Sequence, residues 1–489
     1  MPIKIKNLNY SYDSRNQIFK NLNVEIDENW KLGLIGKNGA GKTTLLKLLM
    51  DKNIKEISSN LKMNYFPIKI LDESLTLQSI IDSQFCDIEM WKIYRELNLL
   101  DFSLEKLEQK FNTLSGGEKV KFQFAILFAE DDSFVLLDEP TNHLDEQSKE
   151  KILNYLKSKK GFILTSHDRW LLDNTIDHTL TLDNMSCEIQ KGNYSVWEEN
   201  YNLKLEYEKS QYEMLEKDID RLEVTKRKTL KWAEDAEKAK SKSANPNQAV
   251  LDRGYFSGKS AKAMKRAKVI ENRIENKIED KKQLLTNYEK QEEIKLYPIQ
   301  NGNKTLINCQ NLSTFYDKKL VFKDINIEIK SGERVALLGA NGSGKTTFIK
   351  LLLKENISFT GNNFIKKGIK ISYLSQETNF LKGNLLEFSR NNQLDYTCLL
   401  TLLKKLGLKR EVFESNLENL SDGQKKKVLL ASSLITPADL YIWDEPFNFI
   451  DIITRLKIEN LILKYKPTML FVEHDKFMIK KLATKTINF

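Results

Sequence analysis

Two glycine-rich stretches have the composition of a phosphate cradle. Gly36-Lys37-Asn38-Gly39-Ala40-Gly41-Lys42-Thr43 and Gly339-Ala340-Asn341-Gly342-Ser343-Gly344-Lys345-Thr346 each lie between an apolar, strand-like run and a helix-like run. Glycines let backbone N–H groups wrap a phosphate chain, and the helix N-terminus adds positive potential. The lysine neutralises the outer phosphates, and the threonine hydroxyl reaches Mg2+. Gly36, Asn38, Gly39, Gly41, Lys42, Thr43 and Thr44, with Gly339, Asn341, Gly342, Gly344, Lys345, Thr346 and Thr347, are therefore candidate nucleotide-binding residues. Asp138 and Asp444 each end an apolar run, where a carboxylate can hold the Mg2+ shell beside Thr43 and Thr346. Glu139 and Glu445 follow them, placed to position or polarise an attacking water. His167 and His474 come 28 and 29 residues after those glutamates, and their matched placement points to the terminal phosphate.

What positions these residues is a repeated element. LGLIGKNGAGKTTLLKLL and VALLGANGSGKTTFIKLL place their lysines 303 residues apart; LSGGE (Leu114 to Glu118) and LSDGQ (Leu420 to Gln424) recur at 306, FVLLDEP and LYIWDEP at 306, SHD and EHD at 307. Four motifs in one order at nearly one offset define two copies of a single domain. Each copy reads as α/β, an apolar strand entering the glycine-rich turn and a second ending in Asp-Glu. The lysine-to-signature spacing is 73 residues in the first copy and 76 in the second, so neither carries a large insertion. The expected domains are 1–196 and 300–489, with a spacer at 197–299.

The spacer is helical in pattern. Tyr201, Leu205, Tyr212, Leu215, Ile219 and Leu222 form an a/d seam among charged residues. Asn245-Pro246, Gly254 and Gly258 break it; Lys259 to Lys290 then resumes a helix, with Ile270, Ile274, Ile278, Leu285 and Tyr288 available to pack back. The expectation is a long antiparallel hairpin of two helices of about 35 to 40 residues, with its loop about 50 Å from its base.

Composition sets the outer limits. Of 489 residues 40% are hydrophobic and 30% charged, which suits about three globular domains. The longest apolar runs, such as Val428 to Leu434, fall far short of the roughly 18 residues of a membrane span. No signal peptide or lipidation motif is recognisable, and the chain is expected to be cytoplasmic. Cys86, Cys187, Cys309 and Cys398, and four scattered histidines, have no metal-ligand spacing and read as packing residues. The net charge of +9 is local: Lys226 to Lys268 holds 13 basic against 4 acidic residues, and the remaining chain balances at 64 to 64. A polyanion met at the spacer is the expected cause. Lys242, Arg253, Lys259, Lys262, Lys265 and Arg266 are candidate RNA-phosphate contacts, against the alternative of a solvated coiled coil. Leu251, Tyr255 and Phe256 near the bend either contact bases or a ligand pocket, or pack on the hairpin itself.

With LSGGE and LSDGQ lying between P-loop and acidic strand and a histidine behind, each copy resembles an ATP-binding cassette (ABC) ATPase. The resemblance implies ATP hydrolysis with Mg2+ by two P-loop domains in tandem, pairing within one monomer and sandwiching two nucleotides head to tail. Ser115, Gly116 and Gly117 would close over ATP held by Lys345, and Ser421 and Gly423 over ATP held by Lys42. Tyr12 and Tyr316 match the adenine-stacking aromatic, with simple packing as the alternative; Asp145 and Asp451 match the D-loop. Gln376 matches the Q-loop glutamine, a metal-facing residue, whereas the first copy has Ile68 there, so the two sites are not expected to be equivalent.

Two fused cassettes without a span, joined by a charged hairpin, further resemble the ABC-F subfamily, which acts on ribosomes. WDEPFNFID (Trp443 to Asp451), FVEHDKF (Phe471 to Phe477) and DRGYFSGKSAKAMKRAK (Asp252 to Lys268) look most like its antibiotic-resistance group of Vga and Lsa type. That resemblance implies the bacterial 70S ribosome as partner, through 23S rRNA and P-site tRNA, with no membrane subunit and no DNA. Its leading reading is drug displacement by a hairpin inserted from the tRNA exit site toward the peptidyl-transferase centre. A housekeeping translation factor that relieves stalls is the alternative. The ATPase half of a transporter fits poorly, since it leaves the spacer unexplained.

Overall fold

The computed structural model describes residues 2–11, 17–51, 54–131, 133–141, 144, 146–183, 186–242, 265, 268–282, 294–299, 302, 304–316, 319–340, 342–408, 410–448 and 450–489. They form two compact units, one made of Met1–Trp197 with Ile294–Phe489, the other of Glu198–Glu293.

Within the first unit each copy is built round a parallel sheet. In the N-terminal copy the strand order is Lys62–Phe66, Ser133–Asp138, Phe162–Thr165, Lys31–Gly36, His178–Asp183, Ser186–Lys191, with only the last pair antiparallel. In the C-terminal copy the order Ile371–Leu374, Leu440–Asp444, Met469–Val472, Arg334–Leu338, Lys485–Asn488 is parallel throughout. The central strands are apolar and buried along their length because both faces of each sheet are covered, as parallel sheets require, whereas the edge strands Lys62–Phe66 and Lys485–Asn488 carry polar, part-exposed residues. A three-stranded antiparallel sheet adjoins each, built on Ile3–Ser11 and on Thr305–Tyr316. The consequence for function is one of placement. In both copies the P-loop, the Asp-Glu pair and the histidine leave the carboxyl ends of adjacent strands, where an open α/β sheet forms its crevice.

The two copies also touch. Arg169 of the N-terminal copy is buried against Glu459 of the C-terminal one, and Asp475 Oδ2 lies 3.5 Å from its Nε. Glu459 is 0% exposed and also meets Lys481 Nζ at 3.1 Å. Arg455 donates to the backbone carbonyl of His167 at 3.0 Å, and to the carbonyls of Ile450 and Phe447 in its own copy.

The second unit holds most of a 49-residue helix, Tyr194–Lys242, and a helical stretch at 268–282. The first helix is longer than the sequence reading expected. It starts at Tyr194, after Asn193 accepts from the Val196 N–H, and meets no breaker before Asn245-Pro246. Ile219, Ile274, Ile278 and Leu222 pack together, and ion pairs join Lys226 to Glu275 and Asp218 to Lys281. Positions rising along one helix meet positions falling along the other, so the pairing is antiparallel. Leu285 and Tyr288, expected in the seam, lie outside the described residues. No described helix is long and apolar enough to cross a membrane.

Candidate active sites

Each P-loop turns into its helix through a glycine that no other residue could replace without strain. Gly41 and Gly344 sit at φ of 95° and 98°, and a Cβ would lie 2.6 Å from Ile18 Cγ2 in the first and 2.7 Å from Val321 Cγ1 in the second. Gly36 and Gly39, Gly339 and Gly342 complete the two loops, and Thr43, Thr44, Thr346 and Thr347 lie in the first turns of Lys42–Met50 and Lys345–Leu352. Both lysines fold onto their own loops: Lys42 Nζ donates to the carbonyls of Gly36 (2.7 Å) and Lys37 (3.3 Å), Lys345 Nζ to those of Gly339 and Ala340 (2.9 Å each).

Glu139 and Glu445, just past the strand ends, have φ of 49° and 46°, the left-handed region that a side-chain-bearing residue rarely occupies. Such strain is tolerated where surrounding structure fixes it, and it aims both carboxylates toward the histidines. His167 Nε2 lies 3.4 Å from Glu139 Oε1, and His474 Nε2 lies 3.5 Å from Glu445 Oε1.

The electrostatics of the two glutamates diverge. Burial pushes the Glu139 carboxyl up to about 7, against the pull of Lys42 and the His167 N–H. Burial likewise drives His167 down to about 3, so it is neutral at physiological pH. Glu445 moves the other way: its hydrogen bond with His474 holds it below the usual carboxylate range, against burial. Glu445 Oε2 accepts from Gln376 Nε2 at 2.8 Å and from Asn448 Nδ2 at 2.7 Å. Behind Gln376, the buried Lys426 ammonium donates to the carbonyls of Ser375, Gln376 and Asp444 and so fixes the loop; burial lowers it to about 8. In the first copy Ile68 has no amide to offer, and its own N–H donates to Gln123 Oε1 at 2.8 Å.

The acidic strand ends test the fit of a divalent cation. Asp444 is 0% exposed and neither carboxylate oxygen has a hydrogen-bond partner of good geometry, although the Thr346 hydroxyl lies near enough to oppose in part the rise that burial imposes on the carboxyl. A buried, unpartnered carboxylate next to a P-loop threonine is a donor set that a hard, oxygen-seeking ion such as Mg2+ would satisfy. Asp138 differs, since Thr165 and Tyr65 donate to it.

Across the copies, the Asn38 N–H donates to Asp451 Oδ2 at 3.3 Å, so the D-loop of the C-terminal copy reaches the N-terminal P-loop. Asp451 caps the helix Ile452–Tyr465 and pairs with Lys427 at 3.3 Å. Among the described residues, the hydrogen bonds of Ser115 and Ser421 are made within their own copies. Ser115 and Ser421 are exposed, and each closes a capping box on its own helix, with Glu118 and Gln424. Gly116, Gly117 and Gly423 lie in the first turns of those helices. Tyr12, Asn341 and Asp145 lie outside the described residues, as do Leu251, Arg253, Tyr255, Phe256, Lys259, Lys262 and Arg266. Tyr316 ends its strand and Lys242 its helix, their side chains likewise undescribed; Lys265 is exposed.

Motif reading missed Tyr65, Asn448, Lys426 and Arg455, which act on motif residues through contacts that no spacing announces. Thr165 was visible in the repeat alignment, as the threonine standing where the second copy has Val472.

Comparison with known proteins bears on both copies. Residues 19–142 and 322–448 match the family described as ABC transporter. The chain is 28% identical to the ribosome protection protein VmlR of Bacillus subtilis (strain 168), over 98% of this chain and 85% of that one. It is 30% identical to the erythromycin resistance ATP-binding protein MsrA of Staphylococcus epidermidis (93% and 91%), and 29% identical to the ATP-binding protein Uup of Buchnera aphidicola subsp. Acyrthosiphon pisum (99% and 79%). Among solved structures, archaeal ribosome recycling factor aABCE1 superposes with a TM-score of 0.59 over 99% of this chain and 87% of that one; at 19% identity this likeness is one of fold.

Proposed function

Because the chain belongs to the ABC family, as an ABC-F protein with two ATPase cassettes in tandem, we propose that it binds the bacterial ribosome when loaded with ATP and protects it from antibiotics acting at the peptidyl-transferase centre and exit tunnel. The observation that carries this reading is that two ATPase cassettes flank a spacer whose described helices pack antiparallel and whose sequence, from Lys226 to Lys268, contains the whole positive excess of the chain. Its supports are the kinship with VmlR and MsrA. Kinship with Uup favours a second reading, a housekeeping translation factor. Expression in a drug-sensitive bacterium separates them: protection should raise the inhibitory concentration of at least one drug among macrolides, lincosamides, pleuromutilins, streptogramins and phenicols, and unchanged susceptibility to all would favour the housekeeping role.

In the proposed mechanism the P-loop N–H groups and Lys42 or Lys345 bind the phosphates, and Tyr12 and Tyr316 stack on adenine. Thr43 with Asp138, and Thr346 with Asp444 and Gln376, would hold Mg2+. The ion supplies charge neutralisation on the phosphates. Glu139 and Glu445 orient water and accept its proton, and His167 and His474 fix those carboxylates and meet the terminal phosphate. Closure would bring Ser115, Gly116 and Gly117 to the second site and Ser421 and Gly423 to the first. The cassettes are assigned to 1–196 and 300–489 and the hairpin to 197–299. The protein would work in the cytoplasm as a monomer, on 23S rRNA and P-site tRNA, with no membrane subunit and no DNA.

The unequal glutamates predict unequal sites. Glu445 is kept ionised and is gripped by Gln376 and Asn448, whereas Glu139 is pushed toward its neutral form. Glu445→Gln should therefore lower steady-state phosphate release severalfold more than Glu139→Gln. Equal residual rates would remove the proposed inequality.

Grip and action should separate in the hairpin. Changing Lys262, Lys265 and Arg266 to Ala should weaken ribosome binding and flatten its salt dependence by a log-log slope of about 0.7 to 0.9 per lost phosphate contact. Changing Leu251, Tyr255 or Phe256 to Ala should leave ATP-dependent binding in place and reduce protection of translation from the drug. Loss of binding together with protection would make the bend a packing element.

A further inference from the structure

Asp138 and Asp444 hold the same place in the two cassettes, yet their carboxylates are bonded differently. In the first, the Thr165 hydroxyl donates to Asp138 Oδ1 at 2.6 Å and the Tyr65 hydroxyl to Oδ2 at 3.0 Å, so neutral donors engage both oxygens. Thr165 also accepts the Glu139 N–H at 3.1 Å, which fixes its hydroxyl between the two acidic residues. In sheet register Asp138 faces Thr165, and Asp444 faces Val472. Valine has no donor. Tyr373, the counterpart of Tyr65 on its own strand, makes no hydrogen bond to Asp444, and both oxygens remain buried without a partner of good geometry, with only the hydroxyl of the P-loop threonine, Thr346, near them.

These two states respond differently to a cation. A carboxylate already bonded by two hydroxyls must give up or share those bonds to ligate a metal or its water. A buried carboxylate without partners gains the full benefit, since its own desolvation is already a cost of the fold. We propose that Tyr65 and Thr165 are positioning residues that hold Asp138 in a hydrogen-bonded state, so that nucleotide binding at the first site requires more Mg2+ than at the second. This inference rests on the two-site reading given above and adds to it the residues that set metal demand. It also separates two sources of inequality: the glutamates govern turnover, whereas Tyr65 and Thr165 govern loading.

The test uses the full chain with one P-loop disabled at a time, Lys345→Ala leaving the first site and Lys42→Ala the second. Binding of a fluorescent ATP analogue is followed while Mg2+ is titrated, and Mn2+ occupancy is read in parallel by electron paramagnetic resonance. The half-saturating Mg2+ concentration should be about tenfold higher at the first site, the cost of giving up a hydrogen bond to a charged group. Tyr65→Phe and Thr165→Val should each lower it severalfold there, and Val472→Thr should raise it at the second site. A change that only damaged the fold would weaken binding at every Mg2+ concentration without moving the midpoint, and that outcome, equal midpoints at the two sites, or midpoints unmoved by all three substitutions would overturn the inference. If neither lysine variant binds the analogue at any Mg2+ concentration, the two-site reading itself falls, and the inference with it.

Discussion

With Glu139 and Glu445 both replaced by Gln, phosphate release should fall to about one-hundredth of its normal rate or lower, because a positioned general base contributes about 10^2 to 10^4 in rate. ATP-dependent co-sedimentation with ribosomes should persist or strengthen. The substitution is clean for a structural reason: both residues sit at positive φ, 49° and 46°, and Gln meets the same backbone cost as Glu, so what is lost is the carboxylate. Lys42 and Lys345, the proposed phosphate contacts, are untouched. A double variant that hydrolyses ATP normally, or that no longer co-sediments with ribosomes in ATP, contradicts the assignment of these residues.

The second large effect is expected at the contact between the cassettes. Glu459→Ala removes the shared partner of Arg169, which is 1% exposed, and of Lys481. Asp475, 3.5 Å from the Arg169 Nε, remains as a more distant partner, so the loss should approach the roughly 3 to 5 kcal/mol that breaking a buried pair costs. Arg169→Met with Glu459→Met should cost much less, since it removes both charges and keeps volume. Urea unfolding of the full chain measures both. If Glu459→Ala unfolds at the same denaturant concentration as the parent, the pair does not stabilise this contact.

Much of the fold was legible in the sequence because repetition supplies its own control. Two P-loops in register with two Asp-Glu pairs fix the strand-turn-helix units and the crevice they share. The hairpin was legible from the seam through Ile219 and Leu222, but the first helix was underestimated, because its start depends on Asn193 capping a helix from Tyr194, which the a/d count does not include. The cross-cassette contacts were not legible at all. Arg169 and Glu459 are 290 residues apart, Arg455 and His167 288, and neither pair carries a local pattern. The Q-loop difference shows both limits. Ile68 against Gln376 was plain in the sequence, whereas the role of Tyr65 became visible only through its bond to Asp138, on a neighbouring strand 73 residues away.

The antiparallel zipping of the second unit has a consequence in chain entropy. A flexible connection as long as Glu198–Glu293 would oppose the meeting of its two flanking segments by roughly 4 kcal/mol, following the logarithm of its length. The Asp218–Lys281 pair already closes a span of 63 residues, and the Ile219, Ile274 and Ile278 cluster reinforces that closure. The loop that the cassettes must close is correspondingly shortened. Each cassette therefore meets the other at a high effective concentration, set by a folded tether and independent of how dilute the protein is. Ile274→Asp with Ile278→Asp would return the connection to a slack chain. The contacts of Arg169 and Arg455 would then have to form against the entropy of the whole loop.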